Sequence, residues 1–137
     1  AGRVTMVQPY LAAVDTAGET ALLFLAGERG LEFSHAIRKG PMLTGPDFGV
    51  DGLYRPEEIT ARTAALEQLA VARKTLASVP GGTGRLLYAR VDLIPGPDGR
   101  PVLVELELTE PSLFLGHGDG AADRLADAII SRLTRET

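Results

Sequence analysis

Arg90, Asp92, Glu105 and Glu107 alternate with apolar residues in two neighbouring stretches, Leu86 to Ile94 and Val102 to Thr109. Alternation at a period of two is the mark of a β-strand with unlike faces. Leu87, Ala89, Val91 and Leu93 then make one face of the first strand, and Tyr88, Arg90 and Asp92 the other. In the second strand Val102, Val104, Leu106 and Leu108 share a face, and Leu103, Glu105, Glu107 and Thr109 share the opposite one. Setting Ile94 across from Pro101 puts both apolar rows on one side and Arg90 across from Glu105. Three carboxylates and one guanidinium on a single sheet face leave a surplus of negative charge, which a cation would relieve. Oxygen donors without His or Cys nearby favour Mg²⁺ or Mn²⁺ over zinc. A solvated face with ordinary surface salt bridges is the bland alternative, and it stays open at this point.

The elements that must position these side chains are legible from turn residues and periodicity. Pro95-Gly96-Pro97-Asp98-Gly99-Arg100 joins the two acidic strands as a hairpin, and Gly27-Glu28-Arg29-Gly30 joins Thr20 to Ala26 with Leu31 to Arg38 in another. Val4 to Leu11 reads as a further β-rich segment. A helix is expected from Pro56, with Glu57 and Glu58 at its positive end, through Ile59, Leu66, Leu69 and Leu76 to a stop at Pro80-Gly81-Gly82. Asp119 is expected to cap a last helix, whose apolar stripe is Ala122, Leu125, Ala126, Ile129 and Leu133. Gly40 to Arg55, rich in Gly, Pro and Asp, is expected to be a surface loop less ordered than the sheet, a candidate lid. The pattern predicts one α+β domain over residues 1–137, an antiparallel β-sheet with helices packed on one face.

Composition narrows the partners. The chain has 137 residues, enough for one ordinary core, and its net charge of −4 offers no electrostatic footprint for nucleic acid or an anionic membrane. With no cysteine there is neither a disulfide framework nor a thiolate metal site, and a reducing cytoplasm suits that usage. No apolar run reaches the roughly 18 residues of a membrane span, and the amino end lacks a signal-peptide pattern.

The stretch "YARVDLIPGPDGRPVLVELELTEPSLFL" resembles the metal-binding hairpin of ATP-grasp ligases, in which an Arg-x-Asp strand is followed by one carrying Glu-x-Asn or a variant. "VQPYL" is similar to that family's adenine hinge, and "GETALLFLAGERGLEFSHAIRKGP" to the hairpin after it. The nearest flavour is RimK-like and cycloserine-synthetase-like, and the resemblance runs from Val7 to about Leu133. It implies ATP and Mg²⁺ or Mn²⁺ as cofactors, with Asp92 and Glu105 as metal ligands and Glu107 where the family most often has Asn. It implies Arg90 on the ATP phosphates, Gln8, Pro9, Tyr10 and Leu11 around the adenine, and Asp15 on the ribose hydroxyls, with Gly18 and Glu19 close enough to compete. Lys39 and Arg38 stand equally as the basic residue that meets phosphate or a substrate carboxylate, although alternation puts them on opposite faces. His35 reads as a sheet residue with its bonds satisfied, and His117 as a loop residue.

The implied fold is the carboxy-terminal ATP-grasp subdomain of a longer ligase, whose amino-terminal and cover subdomains would bring a Lys and a Gly-rich loop to the phosphates. The implied reaction joins a small-molecule carboxylate to an amine or similar nucleophile through an acyl phosphate, and this portion alone is expected to be inactive. The alternative is a non-catalytic module whose acidic face binds a metal or a protein partner.

Overall fold

The computed structural model describes residues 2–41 and 58–135. Alternating apolar side chains produce five strands: β1 (Glu19–Gly27), β2 (Gly30–Lys39), β3 (Ile59–Arg62), β4 (Tyr88–Pro95) and β5 (Pro101–Glu107). They form one antiparallel sheet in the order β3-β2-β1-β4-β5, so β1 and β4, the most apolar, lie inside. The first hairpin turns where expected, Gly27 paired with Gly30. Gly30 takes φ 109°, which a side chain would resist.

Each face of the sheet has its own chemistry. Leu22, Phe24, Ala36, Ala89, Val91 and Leu93 point to one face and close a core with Ala72 and Leu76 of α2 (Leu66–Ala77). Full burial of each large side chain there is worth about 1.5–3 kcal/mol. Phe24 and Phe33 meet edge to face, with ring centres 5.8 Å apart. The other face has a smaller apolar patch, Ala21, Leu23 and Ile37, against Leu113 and Phe114 from the segment that follows β5. A short α1 (Val14–Ala17) precedes β1, and α3 (Ala121–Arg135) packs against β1 and β2. The fold is α+β with an antiparallel sheet, as the patterning predicts.

Several local expectations are corrected. Residues 2–10 carry no strand and are exposed, because no described strand offers them a ladder and Val4, Met6 and Val7 find no apolar cover. The helix expected from Pro56 begins only at Leu66: Ile59–Arg62 pairs with Ala36–Lys39 as an edge strand, so tertiary pairing overrides the helical spacing of Ile59. Leu66, expected in the apolar stripe, is exposed at the helix start, and the helix stops at Ala77, before Pro80. In α3 Ala121 and Ala128 are buried and Leu125 and Arg132 half-buried, whereas Ala122, Ala126, Ile129 and Leu133 lie exposed. Gly120, at φ 65°, directly precedes that helix, with Asp119 one residue further out. Of the expected lid, only Gly40 and Pro41 fall within the described residues. No described helix is long and apolar enough to cross a membrane.

Candidate functional site

The register of β4 with β5 decides which charges meet. Near the turn Pro95 faces Pro101, Ile94 faces Val102 and Leu93 faces Leu103; then Val104 bulges out, and beyond it Asp92 faces Glu105 and Arg90 faces Glu107. The expected register set Arg90 against Glu105; the turn is one residue tighter than expected, pairing Ile94 with Val102 instead of Pro101, and the bulge adds a second residue of shift, so that Glu107 stands there. The extra residue restores the acidic side chains to the Arg90 face after a stretch in which Val102, Leu103 and Val104 are all exposed. β1 extends the same surface, since Ala21 pairs with Asp92 and Leu23 with Arg90, and β2 adds Lys39 opposite Glu19.

The outcome is a connected ion network with a buried centre. Asp92, 1% exposed, accepts from Lys39 Nζ at 2.7 Å, from Arg90 Nε at 2.9 and 3.0 Å, and from Arg90 Nη2 at 2.9 Å. Arg90 Nη2 also lies 2.9 Å from Glu107 and 3.5 Å from Glu105, so three carboxylates converge on one guanidinium nitrogen. Phe114, held in the left-handed region at φ 47°, brings its ring centre 5.9 Å from Arg90 Cζ. Arg90 Nη1 reaches the Ser112 carbonyl at 3.5 Å. Glu19 closes the network, 2.5 Å from Lys39 Nζ.

The environment sets the charge states. Burial alone would lower the Lys39 and Arg90 pKa values, but hydrogen bonds and charge from Asp92, joined by Glu19 at Lys39 and by Glu107 and Glu105 at Arg90, outweigh it and hold both above their ordinary values. Burial pushes Glu19 up, more than Lys39 pulls it down, and the nearby Asp92 adds to the rise. Its buried Oε1 meets the Lys39 ammonium at 2.5 Å.

The donor chemistry of this face fits a hard divalent cation. Four carboxylates, Glu19, Asp92, Glu105 and Glu107, stand against two cations, Lys39 and Arg90, a surplus of two negative charges on oxygen ligands alone. Glu105 is half exposed, so lone pairs remain there for such an ion. In the arrangement described, Arg90 occupies the centre of the acids, and no three His, Cys, Asp or Glu side chains among the described residues are grouped to hold a metal ion.

Other expected site residues fall elsewhere. Arg38, on the far face, donates to the carbonyls of Ala17 at 2.9 Å and Thr16 at 3.3 Å and so ties down the end of α1. Between Lys39 and Arg38, the structure brings only Lys39 to the acidic face. Gln8, Pro9 and Tyr10 are exposed and Leu11 is half-buried, and none joins the network. Asp15 instead accepts a hydrogen bond from the Tyr10 hydroxyl, which raises the Tyr10 pKa. His35 is held on both ring nitrogens, Nε2 to the Leu113 carbonyl and Nδ1 to Ser34 Oγ, each at 3.0 Å, and it fastens the segment after β5 to the sheet; His117 is exposed. Sequence reasoning missed Glu19 as part of the network, although an acid and a base at the open ends of one hairpin are a readable signal. It also missed Phe114, for which nothing local pointed to Arg90.

No family model matches the chain. It is 42% identical over 135 residues, 96% of its own length, to "Cycloserine biosynthesis protein DcsG" of Streptomyces lavendulae. Among solved structures it superposes with a TM-score of 0.76 and 41% identity, over 92% of the chain, on the crystal structure of D-cycloserine synthetase DcsG. The chain spans 43% of the curated relative's length and 41% of the solved chain. The kinship with cycloserine-synthetase-like proteins expected from the motifs is therefore borne out, and the solved relative is itself a synthetase.

Proposed function

We propose that this chain, related to a cycloserine synthetase along nearly all its length, is the nucleotide- and metal-binding part of an ATP-dependent ligase that joins a carboxylate to an amine or similar nucleophile through an acyl phosphate. The observation that carries the reading is the pairing of Lys39 and Arg90 through the buried Asp92, two cations fixed beside a surplus of carboxylates on one sheet face. In the proposed reaction a substrate carboxylate oxygen attacks the γ-phosphorus of ATP, ADP leaves with the bond electrons, and the amine then displaces phosphate from the acyl carbon.

Charge neutralisation and positioning are the main work in such a transfer. Lys39 and Arg90 supply fixed positive charge that need not reorganise when negative charge builds on the phosphate oxygens. Their raised pKa values keep both charged at neutral pH. Asp92, Glu105 and Glu107 would hold Mg²⁺ or Mn²⁺, which when bound neutralises phosphate oxygens and orients them for in-line attack. Gln8, Pro9, Tyr10 and Leu11 would surround adenine, with the donor to the base coming from a position other than Pro9, which has no N–H. Asp15 would meet the ribose, in exchange for Tyr10. The remaining walls of the nucleotide site would belong to an amino-terminal part of the same protein, so residues 1–137 alone grip one side of ATP and leave the phosphates open to water.

A second reading rests on the convergence of all three acids on Arg90 Nη2: a non-catalytic module in which the face is a closed salt-bridge network, with Glu107 marking an altered ligand set. Mg²⁺-dependent ATP titration by calorimetry separates the two, run on this chain, on the longer protein and on Asp92→Ala with Glu105→Ala in the longer protein. The ligase reading expects tight binding by the longer protein only, lost in the double variant. Binding that ignores Mg²⁺, or that survives loss of both acids, would establish the module instead.

A further inference from the structure

At the far end of the sheet from the ion network lies a cleft of about 510 Å³ between the β1–β2 turn, the loop before β4 and α3. Ala21, at the network, and Gly27, at the cleft, are six residues apart on β1, roughly 20 Å at the rise of an extended strand. The cleft is thus separate from the proposed ATP site. Its walls hold two arginines, Arg29 and Arg132, and two hydroxyls, Thr83 and Ser131, over an apolar floor that includes Leu86 and Ala128. No Asp or Glu lines it, although the chain carries 18 of them and a net charge of −4.

We infer that this cleft is a second binding site for a small phosphomonoester, its phosphate held between Arg29 and Arg132. Arg132 is pre-positioned: it donates to the Leu86 carbonyl at 3.1 Å and to the Gly84 carbonyl at 3.5 Å, and its remaining N–H groups stay available. Ala128, Ser131 and Arg132 stand at i, i+3 and i+4 of α3, one side of the helix turned to the cleft. The Arg29 guanidinium makes no hydrogen bond or ion pair among the described residues; its neighbour Glu32 is turned to the Arg29 amide, and neither Glu28 nor Glu32 enters the lining. Gly84 and Gly30 leave the rim open, since a Cβ on either would meet nothing within 4 Å. Two guanidiniums match a dianion by charge and by paired N–H geometry. The volume exceeds that of bare phosphate and suits a compact organic group against the apolar floor.

The test is residue-resolved NMR of the full chain titrated with phenyl phosphate, inorganic phosphate and benzoate, with sodium chloride at matched ionic strength as control. Phenyl phosphate is expected to give saturable shifts at the amides of Arg29, Gly84 and Ser131, inorganic phosphate weaker ones at the same amides, and benzoate and chloride none that saturate. Arg29→Ala should weaken phenyl phosphate binding about tenfold, the order expected for one charge-assisted hydrogen bond at an exposed site, and Ser131→Glu should abolish it by placing a like charge in the wall. Both positions are exposed, and unchanged melting temperatures will show that the fold is kept. Shifts confined to Ala21, Arg90 and Asp92 would report the network and overturn this inference while leaving the ligase reading intact. Benzoate binding as tightly as phenyl phosphate, or affinity indifferent to Arg29→Ala and Ser131→Glu, would also overturn it.

Discussion

Asp92→Asn tests whether the network is a single electrostatic unit. The side chain is 1% exposed and touches both cations, Lys39 at 2.7 Å and Arg90 through three contacts of 2.9–3.0 Å. Removing one partner of a buried pair typically costs about 3–5 kcal/mol, because the other charge stays buried without compensation. Here neither cation is left alone, since Lys39 keeps Glu19 and Arg90 keeps Glu107 and Glu105. The loss should therefore fall at the low end, about 3 kcal/mol. With an unfolding entropy of about 2 cal/mol/K per residue, a chain of this size should melt roughly 10 °C lower. Glu107→Gln, at a position 27% exposed on the rim, should cost no more than about 1 kcal/mol because solvent screens it. Circular dichroism melts and urea titrations of the two variants and of their combination give the coupling between them. An Asp92→Asn loss below about 1 kcal/mol, or one equal to that of Glu107→Gln, would refute the view that Asp92 holds the network together.

Two further outcomes follow from local geometry. Burial lowers the His35 pKa, so the folded protein binds fewer protons than the unfolded chain as pH falls through 6.5; stability should be complete at neutral pH and decline below about 6.5, and urea titrations from pH 7.5 to 5 should show a shallower decline in His35→Gln. Gly18 sits at φ 68° with a virtual Cβ only 2.3 Å from the Lys39 carbonyl, so Gly18→Ala must displace the end of β2; a loss of about 3 kcal/mol or more in urea titration is expected, and an unchanged midpoint would contradict the described contact.

The sequence alone determined four of the five strands, both hairpins and the face on which the acids lie, because alternation and glycine-bearing turns act over a few residues and leave little choice. It also determined the kinship, since Arg-x-Asp followed by Glu-x-Glu across a proline-rich turn survives as a linear pattern. Tertiary structure decided which charges touch. A turn tighter by one residue and the bulge at Val104 together changed the partner of Arg90 from Glu105 to Glu107, and neither one-residue slip can be read from spacing when exposed Val102, Leu103 and Val104 mimic a buried run. It decided that Ile59 joins a sheet edge rather than a helix, because the open edge of β2 offers backbone partners that no local propensity records. It also chose Lys39 over Arg38 for the acidic face and added Glu19, since each depends on charges brought together from three strands far apart in the chain. Coulomb interactions act through space at a few ångströms, and only the folded sheet supplies that distance.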